Sequence, residues 1–143
     1  MTEDERTALE NIPLTKALTV KEGGSTFMVR SAPIASLQEV RQAYLALLLD
    51  PVNLASTHNI AGYVLPNGST GYADDHDYGM GRAIMQATQQ AGVKGMVVFI
   101  TRQYGGQKLG FKRFQIVKDI TTRMLVNLAP ASQPKDAKPS SEG

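Results

Sequence analysis

Gly95-Met96-Val97-Val98-Phe99-Ile100-Thr101, followed by Arg102-Gln103-Tyr104-Gly105-Gly106-Gln107-Lys108-Leu109-Gly110-Phe111-Lys112-Arg113-Phe114, is the stretch that decides the fold. The apolar run is short and β-branched, which predicts a buried strand. The glycine-rich segment is a loop. Beyond it, apolar residues at 114, 117, 120, 124, 125 and 128 recur at helical spacing and predict an amphipathic helix. Working back from the strand, residues 79–91 read as a helix ended by Gly92. Residues 59–65 and 69–73 read as two strands around Pro66-Asn67-Gly68. Ser36-Leu37-Gln38-Glu39 is a capping box that opens a helix over 36–49, stopped by Asp50-Pro51. Residues 16–21 and 26–31 form a hairpin around Glu22-Gly23-Gly24, and Pro33 ends its second strand. The order predicts an α+β domain with a single mixed or mostly antiparallel sheet and helices on one face.

The polar residues 2–12 are an arm or a short helix, so residues 1–24 read as an N-terminal arm plus the start of the first hairpin. The domain itself spans 25–128. Residues 129–143, with three Pro, three Ser and almost no apolar side chains, are expected to be a disordered tail. The 143 residues hold no cysteine, which excludes disulfides, thiol nucleophiles and thiolate metal sites. No apolar run reaches the ~20 residues of a membrane span, and the acidic start is unlike a targeting peptide. A cytoplasmic location and no membrane partner are expected.

The net charge is only +2, but it is unevenly spread. Residues 102–128 hold six Lys/Arg against one Asp, while the rest of the chain is slightly acidic or neutral. Lys108, Lys112 and Arg113 lie in the loop or the first helical turn, where cations oppose the helix dipole unless an anion visits. Backbone donors made accessible by Gly105, Gly106 and Gly110, with Arg102 and Tyr104 beside them, would complete an anion or nucleic-acid site. The competing reading is a tight loop with solvated lysines. Gly105 and Gly110 have P-loop spacing, but Phe111 stands where the lysine is required and Lys112 where Ser or Thr would hold magnesium. No cofactor or metal is expected.

Asp74-Asp75-His76-Asp77 precedes a helix, so capping competes with cation binding, and the EF-hand pattern is absent. His58 with Asp74 or Asp75 forms a possible secondary site, the basis of a hydrolase-like alternative. No nucleophile pattern accompanies it, so no catalytic residue is assigned.

Phe27, Ser31-Ala32-Pro33-Ile34, His58-Asn59-Ile60-Ala61-Gly62-Tyr63, Asp74-Asp75, the loop from Arg102 to Gly110 and Arg113-Phe114 together resemble the IMPACT/YigZ family, in the family's order. Arg113-Phe114 is more similar to the eukaryotic IMPACT branch. The resemblance implies the α+β fold of elongation factor domain IV and of the second domain of a ribosomal small-subunit protein. It also implies a non-enzymatic, translation-linked regulator or binding module facing RNA or the ribosome. The alternative is a protein partner in translational control, since eukaryotic relatives restrain a starvation-responsive initiation-factor kinase. The family usually has Gly-Glu where this chain has His76-Asp77. Neither the scaffold-binding nor the ferredoxin-like domain that the resemblance places beside this one is expected within these residues, so that kinase role is not carried over directly.

Overall fold

In a computed structural model, residues 1–132 are described. The apolar run becomes β5 (Met96–Gln103), the central strand of a five-stranded antiparallel sheet. The other strands are β1 (Leu18–Glu22), β2 (Ser25–Pro33), β3 (His58–Val64) and β4 (Thr70–Ala73), in the order β1-β2-β5-β3-β4. Five helices complete the chain: α1 (Glu3–Glu10), α2 (Leu37–Leu48), α3 (Pro51–Leu54), α4 (Met80–Gln90) and α5 (Lys112–Ser132).

Helices cover both faces of the sheet, not one. Residues Met96 to Arg102 of β5 are all buried, and successive side chains point to opposite faces. Met96, Val98 and Ile100 pack with Ile84 of α4 and with Val117, Ile120 and Leu125 of α5. Val97 and Phe99 pack instead with Val40, Ala43 and Leu47 of α2. A strand apolar at both parities needs cover on both sides, which is why the run is continuous and not alternating.

The local signals act as expected, with small differences. Ser36 accepts from the Glu39 N–H (3.3 Å), but the Glu39 carboxylate reaches one residue further back, to the Ala35 N–H (2.8 Å). Asp50 and Pro51 end α2 and also open α3, as its N-cap and first residue. The polar start is helical: Thr2 and Glu5 make a reciprocal capping box, and Leu9 is buried. The last helix runs on to Ser132, so residues 129–132, expected in the tail, belong to α5. The remainder of that expected tail, residues 133–143, lies outside the described residues. Among the described residues no helix is long and apolar enough to cross a membrane.

Candidate functional site

The sheet register assembles the site. Arg102 lies opposite Phe27 of β2 on one side and His58 of β3 on the other. Two residues along, the same face carries the apolar row Val29, Ile100, Ile60. The core that packs on α4 and α5 therefore gives way, at one end of the strands, to an arginine flanked by an aromatic ring and an imidazole. Arg102, expected as an anion contact beside the glycine loop, is a residue of β5 and only 5 % exposed. A buried guanidinium requires a counter-charge.

Asp77, 6 % exposed, supplies it. Its Oδ2 accepts from Arg102 Nη1 at 2.7 Å and its Oδ1 from Arg113 Nε at 3.2 Å. One carboxylate thus serves two arginines, and the cluster keeps a positive excess. The turn that delivers Asp77 is closed by its N–H to the Asp74 carbonyl (3.0 Å). Both central residues, Asp75 (φ 48°) and His76 (φ 66°), are left-handed. Asp and His tolerate this region better than most side chains. A glycine, which the family resemblance places at 76, would adopt it without strain.

The Arg102 guanidinium carbon lies 5.3 Å from the Phe27 ring centroid and 5.9 Å from that of Tyr104, within cation–π range of both. Its Nε is buried without a hydrogen-bond partner among the described residues.

The loop after β5 is tied down at its start. The Tyr104 N–H donates to Thr57 Oγ1 (3.1 Å) and the Gly105 N–H to Ser25 Oγ (3.2 Å). A Cβ on Gly105 would stand 2.0 Å from the Gly24 backbone, so this glycine serves close packing of the loop on the β1–β2 turn. Gly110 is left-handed (φ 58°), and its carbonyl accepts from Arg113 Nη1 at 2.7 Å. Lys112 points away to Glu22 (3.0 Å) in an exposed ion pair, a contact worth little in solvent. Lys108 makes no ion pair among the described residues.

These groups line an open pocket of about 260 Å³. His58, Arg102, Tyr104, Lys108, Gly110 and Arg113 all contribute to its wall, with Asp77 at one side. Gly105, Gly106 and Lys112 do not line it. Six of the residues singled out from the sequence thus converge, including His58 from the secondary cluster.

The carboxylate–imidazole dyad expected from His58 with Asp74 or Asp75 is not formed. His58 Nδ1 lies 2.7 Å from the backbone carbonyl of Asp75, not from a carboxylate. The Asp75 side chain accepts from the Asn59 N–H (2.6 Å), and Asp74 accepts from the N–H groups of Gly79 (3.1 Å) and Gly81 (2.8 Å), capping α4. Both acids are occupied by backbone N–H groups, Asp74 at the start of α4, as acids before a helix commonly are, and Asp75 on strand β3. A buried polar chain braces this corner: Thr101 Oγ1 donates to Asn59 Oδ1 (2.9 Å), Asn59 Nδ2 to the Asn53 carbonyl (2.8 Å), and Asn53 Nδ2 to the Leu47 carbonyl (2.9 Å). Burial pushes the Tyr44 hydroxyl pKa up, and the Asp75 carboxylate adds to the shift.

Two features escaped the sequence. Asp77 was visible only as one of a run of acids, because its partners lie 25 and 36 residues away. On the opposite face, an apolar groove of about 540 Å³ runs between α2 and the β3–β4 edge. Leu37, Leu45 and Tyr72 line it and are exposed.

Comparison with known proteins identifies the family and the fold. The Impact N-terminal domain model matches residues 23–125. Protein IMPACT of Rattus norvegicus is 28 % identical over 134 residues, covering 90 % of this chain and 42 % of that protein. The Protein IMPACT homolog of Schizosaccharomyces pombe is 28 % identical over 115 residues, 76 % of this chain and 41 % of that one. An IMPACT family member in the pol 5′ region of Thermus thermophilus is 35 % identical over 86 residues, 60 % of this chain and 46 % of that one. This chain spans less than half the length of each of these relatives. The fold is shared with the crystal structure of a hypothetical protein (TM-score 0.65, 15 % identity, 80 % of this chain and 59 % of that one). It is also shared with the two-domain translational regulator Yih1 (TM-score 0.50, 24 % identity, 82 % of this chain and 47 % of that one). With the domain model matching most of its length, the chain belongs to the IMPACT family.

Proposed function

We propose that this chain is a non-enzymatic module of translational control that binds RNA, free or on the ribosome, through the pocket between β5 and α5. The observation that carries the reading is the pocket itself: two arginines on one carboxylate, a lysine with no ion pair among the described residues, and a half-exposed tyrosine at the same opening. Lys108 and Arg113 take the phosphates and Tyr104 stacks on a base, while Arg102 acts from beneath as a fixed positive field. Lys112, Gly105 and Gly106 shape or flank the loop. Similarity to the translational regulator Yih1 and to Protein IMPACT supports a place in translation.

The test is binding of short single-stranded RNA across a salt series. Each phosphate contact adds roughly −0.7 to the slope of log K against log salt. Lys108→Glu should weaken binding and flatten the slope at unchanged stability. Salt-independent binding, or none, overturns the reading.

The apolar groove favours a second reading, a protein-interaction regulator of a stress-responsive translation kinase pathway. Its rim carries the exposed side chains Leu37, Leu45 and Tyr72, apolar surface of the kind a protein partner covers. Capture of a pathway protein that survives nuclease and is lost on Leu45→Ser would support it.

A further inference from the structure

We infer that His58 makes this pocket selective for RNA over DNA by accepting a hydrogen bond from a ribose 2′-hydroxyl. The inference rests on the anion-site reading above and adds the identity of the sugar.

A backbone carbonyl can only accept. The 2.7 Å contact between His58 Nδ1 and the Asp75 carbonyl therefore puts the proton of the neutral ring on Nδ1. Nε2 is then a bare lone pair, an acceptor. The ring cannot easily change this arrangement. Asp75 is held by its own carboxylate on the Asn59 N–H, at 2.6 Å, and by the left-handed turn that follows it. The tautomer is fixed from outside, as it is in histidines whose second nitrogen does the work.

His58 also stands where a sugar would lie. It lines the same pocket as Tyr104, Lys108 and Arg113, and it faces Arg102 across the β3–β5 ladder. Lys108 and Arg113 supply only donors and Tyr104 a stacking surface, while each Asp77 oxygen already accepts from an arginine. A volume of about 260 Å³ lies just under the ~300–1,000 Å³ typical of small-ligand sites, which suits one sugar and its phosphate. The Arg102 guanidinium lines the pocket and is not fully satisfied by Asp77, since its buried Nε has no hydrogen-bond partner among the described residues. A phosphate above it satisfies the cations and leaves the attached ribose beside His58. The 2′-hydroxyl, donor and acceptor at once, is the group by which a protein tells RNA from DNA. A site made to pair with a hydroxyl discriminates against the analogue that lacks it, because its own polar atom is then left unpaired.

The experiment compares a short oligouridylate with its 2′-deoxy and 2′-O-methyl counterparts by fluorescence anisotropy. The unsubstituted protein should bind RNA roughly three- to tenfold more tightly than either counterpart, the equivalent of one net hydrogen bond. The 2′-O-methyl chain keeps an RNA-like sugar but cannot donate, so it isolates the hydrogen bond from sugar shape. His58→Asn keeps a donor where Nδ1–H was and removes the distal acceptor. It should bind all three alike, at the affinity the native protein has for DNA. His58→Gln, whose amide reaches the Nε2 position, should recover part of the preference. Equal binding of RNA and 2′-O-methyl RNA by the unsubstituted protein overturns the assignment whether or not the variants fold, and leaves the anion site standing. A preference that survives His58→Asn also overturns it. Binding to none of the three overturns the anion site, and this inference with it.

Discussion

The two faces of the central strand end differently, and the contrast separates two ways of offering a surface. On the α4–α5 face, the apolar row of Val29, Ile100 and Ile60 is followed by Phe27, Arg102 and His58. Arg102 and Arg113 share Asp77, and His58 is oriented by the Asp75 carbonyl, all partners distant in sequence. On the α2 face, Phe99 and Ala61 form the floor of an apolar groove edged by Tyr72 and Leu45. The first surface selects by charge and by the direction of its hydrogen bonds. The second offers area and shape. Both depend on β5 being buried on each side, so a change in the sheet register would dismantle both together.

The sharpest way to break the contrast is at Asp77. Asp77→Ala leaves two arginines facing each other, one of them buried, and should destabilise the fold by about 3–5 kcal/mol, read from urea unfolding. A loss under about 1 kcal/mol, within the range of an exposed ion pair, would show that the pair is solvated and the pocket floor is not as described. Gly105→Ala comes next. Its Cβ would meet the Gly24 backbone at 2.0 Å, so the loop must shift, at a cost of about 1–3 kcal/mol by comparison with overpacked interiors. Binding should fall with it. The equivalent change at Gly106, where a Cβ meets nothing within 4 Å, tests backbone conformation alone, since its φ is 89°.

How much of this was legible in the sequence follows from the range of each interaction. The helices 36–49, 79–91 and 114–128 and the hairpin turns are set by periodicity and by caps a few residues apart, and they stand within a few residues of the expected bounds. The buried strand was legible from its apolar run, but which helices cover it was not: Val97 and Val98 are identical residues facing different cores. The glycine loop and its cations were visible as local composition. Their partners were not, because Asp77 meets Arg102 and Arg113 only through sheet register and the placement of α5. The same limit explains His58, whose orienting group is a carbonyl and so leaves no trace in side-chain spacing.

Smaller effects sharpen the contrast. Leu45→Ser and Tyr72→Ser alter side chains about half exposed and should change stability by no more than about 0.5 kcal/mol, with no effect on RNA affinity. Loss of RNA binding on either would move the interface to the groove. The smallest effect concerns α1. Hydrogen bonds from the Thr2 backbone and then its side chain hold the Glu5 carboxyl below its ordinary value of 4.5. A carboxyl lowered in the folded state contributes stability above its unfolded pKa and loses it as pH falls through the folded one. Amide protection over residues 3–10 should therefore hold at neutral pH and decline in acid. Glu5→Gln should remove that dependence; a decline unchanged by the substitution would assign it to other groups.

The pocket and the groove can be set against each other in a single titration. Nuclear magnetic resonance shifts followed while short single-stranded RNA is added should move at His58, Tyr104, Lys108, Gly110 and Arg113, and stay still at Leu37, Leu45 and Tyr72. Shifts confined to the groove, or none at either surface, would contradict the assignment of the β5–α5 pocket as the site where this chain meets RNA.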